Sequence, residues 1–341
     1  SFFINPIFIL ILYSEKFYKS SLNFIIMKNV SFIIPNYNAE DTIAKTIESI
    51  QKQKYKGKIE IIVIDDCSKD NSIKIISKYK KVKLIKNEIN LGLSRSLNKA
   101  IKLAKHDLLC VIWCDCILEN NSWLNEMVKI YNKNENCFVG SKLIIPKEYW
   151  DKFSFWDKVV LVKDYEKSLN NKQKEGRPTL FSKKLLLKIG LYNDKIFRIA
   201  GEDTDLRWKI QNKSYKLITA KVNVLHLHGF YNLNFKKQLI NKALPLAEAI
   251  GVNFAKHGIK SFSSKYWNPL TLTLLYLLLL VPFINILAFI AILLLILSYT
   301  LKVLKYARDK RIIFVPFFKL FKDILTIIGF WKGLVTRKQE F

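Results

Sequence analysis

Apolar runs punctuate the first part of the chain, and each ends in polar residues. They are Val30–Ile34, Ile59–Ile64, Val82–Ile85 and Leu108–Trp113. Their length and unbroken apolar character predict strands buried on both faces. Between and after them, residues 41–53, 70–79, 94–104 and 122–132 carry helical patterns. Strand alternating with helix predicts an α/β domain built on an open, mainly parallel sheet. Ligands of such sheets gather at the carboxyl ends of the strands. The loops to read for chemistry are therefore 35–40, 65–70, 86–95 and 114–121.

Beyond residue 135 the periodicity is less regular. Residues 232–258 read as one or two helices interrupted at Pro245 and Gly251. The pattern then changes: Pro269 to Leu301 is a run of 33 residues without a charged side chain. Its length and apolarity predict membrane insertion, either as one tilted span or as a short hairpin divided near Pro282 and Asn285. Lys302, Lys305, Arg308, Lys310 and Arg311 follow at once. Residues 312–335 form a further apolar stretch, broken by Pro316 and carrying Lys319, Lys322 and Lys332, which reads as an interfacial amphipathic helix. Ser1–Leu12 is apolar but too short for a span and contains Pro6. The expectation is that the functional protein begins near Met27, with 1–26 an upstream extension; the alternative is a membrane-touching N-terminal segment.

Lys and Arg total 56 against 28 Asp and Glu, a net charge of +28. That excess favours polyanionic partners, whether phosphorylated substrates, an anionic membrane face or nucleic acid. The lysines are scattered along helices rather than grouped with aromatics, which argues against nucleic acid. Basic flanks beside the apolar run place the globular part on the cytoplasmic face. Five cysteines, an odd number without framework spacing, argue against a disulfide scaffold.

The strand ends carry the candidate chemistry. Strand 1 ends in Pro35-Asn36-Tyr37-Asn38, strand 2 in Asp65-Asp66-Cys67-Ser68, and strand 4 in Cys114-Asp115-Cys116. Gathering Asp65, Asp66 and Asp115 on one sheet edge is costly without a cation or donors among them. Helix capping by Asp66 or Ser68 accounts for one of these residues, not for the set. Later, Gly201-Glu202-Asp203-Thr204-Asp205 opens an amphipathic helix, and capping by Asp203 or Thr204 again covers only part of the cluster. His226 and His228 sit two apart after a strand-like run, Val222–Leu225, and so share a face. Two imidazoles with one carboxylate suit a divalent metal, and a packing role is the competing reading.

Taken together these segments resemble family 2 inverting glycosyltransferases, which have the GT-A fold. The resemblance rests on VSFIIPNYN, IEIIVIDDCSKDNS, NLGLSRSLNKAI, VIWCDCILENNSWL, GRPTLFSKKLLLKIGLYND and GEDTDLRWKI, in that order. The C-terminal apolar segments resemble the membrane-anchored subset. The resemblance implies that Pro35, Tyr37, Asn38, Asp65, Asp66, Asn90, Gly92, Arg95 and Cys114 line the nucleotide-sugar. Asp115 would stand for the second Asp of the metal-binding Asp-x-Asp, with His226 and His228 as further metal or diphosphate contacts. Asp203 would be the general base and Glu202 its neighbour. Mn2+ or Mg2+ would be the cofactor. One departure from the pattern is Trp113-Cys114-Asp115, which lacks the first Asp. Cys114 and Cys116 read as small apolar packing groups around Asp115, although a thiolate pair would invite a softer metal.

The implied organisation is a GT-A domain over 27–230, a helical linker over 231–268, a transmembrane segment over 269–301 and a basic amphipathic tail over 302–341. The implied partners are a nucleotide-sugar donor, a glycan or lipid-linked acceptor and membrane lipids. The implied reaction is sugar transfer to a hydroxyl; transfer to a polyprenyl phosphate and non-catalytic donor binding are the alternatives.

Overall fold

The computed structural model describes residues 28–134, 136–170, 177–228, 239–258 and 267–339. The expectation for residues 1–26 lies outside them.

The apolar runs become strands β1 (Val30–Asn36), β2 (Ile59–Asp65), β3 (Val82–Lys86) and β4 (Leu108–Val111), paired in parallel in the order β3-β2-β1-β4. Period-two alternation distributes β1 over two cores. Phe32 and Ile34 face helices α1 (Ile43–Gln51) and α4 (Trp123–Lys133), against Ile43, Ile47, Trp123 and Met127. Ile33 faces α3 (Leu93–Leu103), against Leu97, Ala100 and Ile101. The short helix α2 (Ser72–Ile76) completes this half.

The second half of the sheet is mixed rather than parallel. Strands β5 (Cys116–Leu118), β6 (Cys137–Ile144), β7 (Arg177–Ser182) and β8 (Lys216–His226) extend the order to β4-β7-β6-β8-β5. β7 runs antiparallel to both β4 and β6, and β5 antiparallel to β8. These strands alternate less cleanly because several of their residues are only half-buried, so their periodicity is weak in the sequence. Helices α5 (Lys147–Lys152) and α6 (Phe155–Leu169) separate β6 from β7; α7 (Lys183–Ile189) and α8 (Glu202–Asn212) separate β7 from β8.

The later helices are α9 (Leu244–His257), α10 (Trp267–Leu278), α11 (Asn285–Tyr306) and α12 (Val315–Thr336). The charge-free run is thus divided into two helices. The break falls at Pro282 and Phe283, the latter with a φ of 68°; proline cannot donate the amide that would continue the ladder. Among the described residues, α11 is the one helix long and apolar enough to cross a membrane, with 22 residues and a mean hydropathy of 2.5. Its last turns are not free: Tyr299 and Val303 pack with Val159 and Val162 of α6 and with Phe318 of α12.

Pro245 and Pro316 do not interrupt their helices. Each lies in the first turn of its α-helix, Pro245 directly after a π-helical stretch over Leu239–Ala243 and Pro316 directly after a 3-10 turn over Lys310–Phe314, so each marks where α-helical geometry begins. Gly251 likewise stays inside α9, because α9 and α12 approach closely there. A Cβ on Gly251 would collide with the carbonyl of Phe330, and one on Gly333 with that of Glu248. Glu248 is fully buried and paired with Lys332 at 3.2 Å. Gly251→Ala should therefore cost about 1–3 kcal/mol by overpacking. A lowered thermal midpoint of the detergent-solubilised protein is the expected reading; an unchanged midpoint would contradict this helix crossing.

Candidate active site

The carboxylates at the sheet edge are each compensated differently. Asp65, fully buried, accepts from Asn36 Nδ2 at 2.7 Å and from the Ser68 hydroxyl and amide at 2.5 and 3.0 Å. Asp66 accepts from the amides of Leu91 and Gly92, both at 2.8 Å, and from Asn87 Nδ2 at 2.9 Å. Neither caps α2, whose N-cap is Asn71; Asp70, just before it, accepts the Ser72 amide and hydroxyl. Asp66 instead ties the end of β2 to the loop before α3. Asn90 and Gly92 sit in that loop. The Asn90 amide donates to the Asp66 carbonyl at 3.3 Å, and Gly92 has a φ of 85° where a Cβ would meet Arg198.

Pro35 lies buried within β1, while Tyr37 is exposed beyond the strand end. Asn38 adopts a φ of 49° and clasps the 68–70 loop: its amide donates to Ser68 Oγ at 2.9 Å and its Oδ1 accepts the Lys69 amide at 2.8 Å. Arg95 is exposed on α3. Arg198, which motif reading passed over, reaches this region: its guanidinium donates to the Asn90 carbonyl at 3.2 Å.

Asp115 stands between β4 and β5. Antiparallel pairing of β5 with β8 sets Cys116 opposite His226, and the Leu227 amide donates to the Asp115 carbonyl at 2.8 Å. That register brings His226 Nε2 to 3.1 Å from Asp115 Oδ2. His228 lies past the strand end with a φ of 51°, yet its ring centroid is 3.6 Å from that of His226. One ligand atom from each of Asp115, His226 and His228 lies within 4.8 Å of the others. Burial by itself would raise the Asp115 carboxyl, but the two imidazoles hold it well below the usual range. A carboxylate and two imidazoles form a donor set that fits a divalent cation, better for Mn2+ than for Mg2+, which prefers oxygen ligands. Cys116 is buried and Cys114 half-buried, and burial pushes both thiols up. They pack rather than offer thiolates.

On the other side of this cluster stands Arg177, at the start of β7. Its guanidinium carbon lies 4.8 Å from the Trp113 ring centroid, and its Nε lies 3.4 Å from Asp203 Oδ2. Burial opposes its charge, but Asp203, Glu202 and Asp115 more than offset this and raise its pKa. The helix α8 begins at Gly201, whose φ of 92° suits the turn into it, so Asp203 and Thr204 are inside the helix rather than at its cap. Glu202 is buried and Asp203 partly exposed. Burial, then the neighbouring Asp203 charge, raises Glu202 to about 8. Arg177 sits in a quoted segment, but nothing in its local pattern marked it as a site residue.

A further contact comes from far along the chain. Gln339 Oε1 accepts the backbone amides of Arg198, Ile199 and Ala200 at 2.9, 3.0 and 3.3 Å. The Gln339 amide donates to the Ile196 carbonyl at 2.9 Å. The loop leading into Glu202–Asp203 is thus held by the segment after α12.

The topology and strand-end site define a nucleotide-diphospho-sugar transferase fold of the GT-A type. Across 92% of this chain and 88% of the other, it superposes on the mannosyltransferase PcManGT from Pyrobaculum calidifontis, solved with GDP-Man and Mn2+, at a TM-score of 0.54 and 16% identity. GalNAc-T7, solved with UDP, GalNAc and Mn2+, aligns over 73% of this chain and 51% of that one, at 0.50 and 17%. Residues 31–192 match Glycosyl transferase family 2. The Escherichia coli UDP-Glc:alpha-D-GlcNAc-diphosphoundecaprenol beta-1,3-glucosyltransferase WfaP is 34% identical over 126 residues, which is 35% of this chain and 50% of WfaP. A Staphylococcus epidermidis poly-beta-1,6-N-acetyl-D-glucosamine synthase is 31% identical over 111 residues, 32% of this chain and 26% of the synthase. The chain thus spans half or less of the length of these relatives.

Two measurements check the local arrangement. Gln339→Ala leaves three loop amides without their acceptor, at about 1.4 kcal/mol or more. Hydrogen exchange at Arg198–Ala200 should then quicken by about tenfold or more, and unchanged exchange would remove the clasp. The folded state holds the Glu202 proton to higher pH than the unfolded chain. Stability should therefore fall as pH rises from about 4.5 to about 8. Glu202→Gln should flatten that fall in a denaturant series, and an equal slope in both proteins would contradict it.

Proposed function

We propose that this chain is an inverting glycosyltransferase. It moves a sugar from a nucleotide-diphospho-sugar to a hydroxyl of a lipid-linked or membrane-proximal glycan. The observation that carries the reading is the pairing of a metal-fitted Asp115–His226–His228 cluster with Arg177 and Asp203 at one edge of a GT-A sheet. The acceptor class rests on the likeness to WfaP, whose name gives a diphosphoundecaprenol-linked acceptor, and on the apolar helix α11. The basic residues after α11 support a cytoplasmic face for the catalytic domain.

A divalent cation held by Asp115, His226 and His228 would supply positive charge to the departing diphosphate. The protein's own groups do the rest. Arg177 adds a fixed guanidinium beside that site, oriented by the Trp113 ring and needing no reorganisation as charge develops. Asp203 accepts the proton of the acceptor hydroxyl as it attacks. Glu202, held neutral at moderate pH, spares Asp203 a second adjacent negative charge. Attack from the face opposite the diphosphate inverts the anomeric centre. Pro35, Tyr37, Asn38 and the 87–92 loop organised by Asp65 and Asp66 line the nucleotide end, with Arg198 in the place that motif reading gave to Arg95.

A nucleotide-release assay with UDP-, GDP- and TDP-sugars and Mn2+ tests this on solubilised full-length protein. One donor should be hydrolysed slowly, with loss on chelation. Asp203→Ala should lower turnover by about 10²–10⁴-fold while donor binding is kept, and Asp115→Ala should weaken Mn2+ binding. Folded protein that neither binds nor cleaves any donor would overturn the reading. Binding with turnover that ignores Asp203→Ala would favour transfer to an already ionised phosphate acceptor, which needs no base.

A further inference from the structure

A second cluster of charge lies away from the sheet edge, where α11 leaves the catalytic domain. Tyr299 of α11 is buried there, its hydroxyl donating to the Val159 carbonyl of α6 at 2.5 Å. Three ammonium groups surround its ring. Lys163 of α6 and Lys319 of α12 each lie 5.9 Å from the ring centroid, and Lys322 of α12 lies 5.6 Å from it. Lys302, one turn further along α11, is paired with Glu166. Lys319 is paired with Asp323. Among the described residues, neither Lys163 nor Lys322 has a carboxylate within ion-pair distance.

The ring face offsets part of this repulsion but not all of it, since a cation–π contact is worth about 0.5–2 kcal/mol per ammonium. Partial desolvation, then the charges of Lys319 and Lys302, lowers the Lys163 pKa, with Asp323 offsetting part of this. An ordinary solvated lysine would swing away from such neighbours at little cost. Here the charges come from two different elements and converge on one aromatic ring. Lys163 is exposed and Lys322 half-buried, so the cluster is open on one side.

What adjoins that opening selects the ligand. Toward its start, α11 exposes Leu293, Leu294, Leu295 and Leu297, and α12 exposes Phe317 and Phe321 beside its lysines. A phosphate seated among the ammoniums would lie beside helices whose exposed apolar side chains acyl chains could cover. We propose that Lys163, Lys319 and Lys322 form a binding site for the phosphate of an anionic membrane lipid. The site rests on the reading that α11 enters a bilayer, and it is separate from the donor site at Asp115 and Asp203.

The test uses full-length protein in nanodiscs of phosphatidylcholine mixed with phosphatidylglycerol, extracted gently for native mass spectrometry. Wild type should retain phosphatidylglycerol in preference to phosphatidylcholine. The double variant Lys163→Gln/Lys322→Gln should bind it about 30-fold more weakly, at roughly fivefold per ammonium. The charge-matched control Lys80→Gln/Lys81→Gln, at an exposed turn before β3, should behave as wild type. Equal retention by the two variants, or no lipid preference in wild type, would overturn the site. Displacement of the lipid by millimolar inorganic pyrophosphate would overturn the lipid assignment in favour of a soluble anion. Failure of wild type to partition into membranes at all would remove the bilayer reading, whereas a membrane-bound protein without the preference removes the site alone.

Discussion

The rest of the structure depends on the crowding of carboxylates at the carboxyl edge of the sheet. An ionised carboxylate in a low-dielectric interior is stable only with opposite charge or several donors around it. Asp65, Asp66, Asp115 and Asp203 are compensated by different means, through loop donors, an imidazole and a guanidinium, while Glu202 is held neutral. Asp66 draws the 87–92 loop onto the end of β2 through two backbone amides and an asparagine. Asp115 draws the end of β8 toward β5 through an imidazole. Arg177 bridges the remaining gap, in contact with Asp203 and stacked on Trp113. Removing a partner would weaken the compensation of the carboxylate it serves. The site is therefore held by the same interactions that give it reactivity.

Trp113 illustrates the exchange. Where the family pattern carries a first Asp, this chain places an indole, and Arg177 lies over it. A carboxylate there would add another negative charge beside Asp115. The indole instead offers a π face that fixes a cation. The positive charge beside the metal-fitted cluster is thus supplied partly by a side chain of the protein.

Legibility in the sequence follows the range of the forces involved. Strands β1 to β4 were readable because burial on both faces demands unbroken apolar runs, and the strand ends Asp65, Asp66 and Asp115 were readable as polar residues that interrupt them. Strands β6 and β7 were not, and of β8 only Val222–Leu225 was, because half-buried residues alternate weakly and β7 runs against its neighbours. The division of the apolar run at Pro282 was legible from proline chemistry, and Pro245 and Pro316 mark changes of helix type, yet Gly251 looked like a break and is not. Its meaning depends on which helix lies opposite, and that is tertiary information. The same holds for Arg177, Arg198 and Gln339. Each is an ordinary polar residue in its own segment, and becomes distinctive only through a partner tens of residues away or more.

The loop 196–200 brings these threads together. On one side Arg198 donates to Asn90 in the loop organised by Asp66, and the Leu93 amide donates to the Arg198 carbonyl at 2.7 Å. On the other side Gln339, just beyond α12, accepts successive amides of the same loop. Asn253 of α9 adds a contact to the Gly201 carbonyl at 3.3 Å. The segment that delivers Glu202 and Asp203 is therefore clamped between the carboxyl edge of the sheet and the C-terminal helices. Those helices also carry the apolar and basic surfaces suited to a membrane. A shift of α12 against the domain would be felt at this loop, because three of its backbone amides share the one Gln339 carbonyl. The position of Asp203 relative to Asp115 is in that way tied to the seating of the tail, through hydrogen bonds rather than through any change in the sheet.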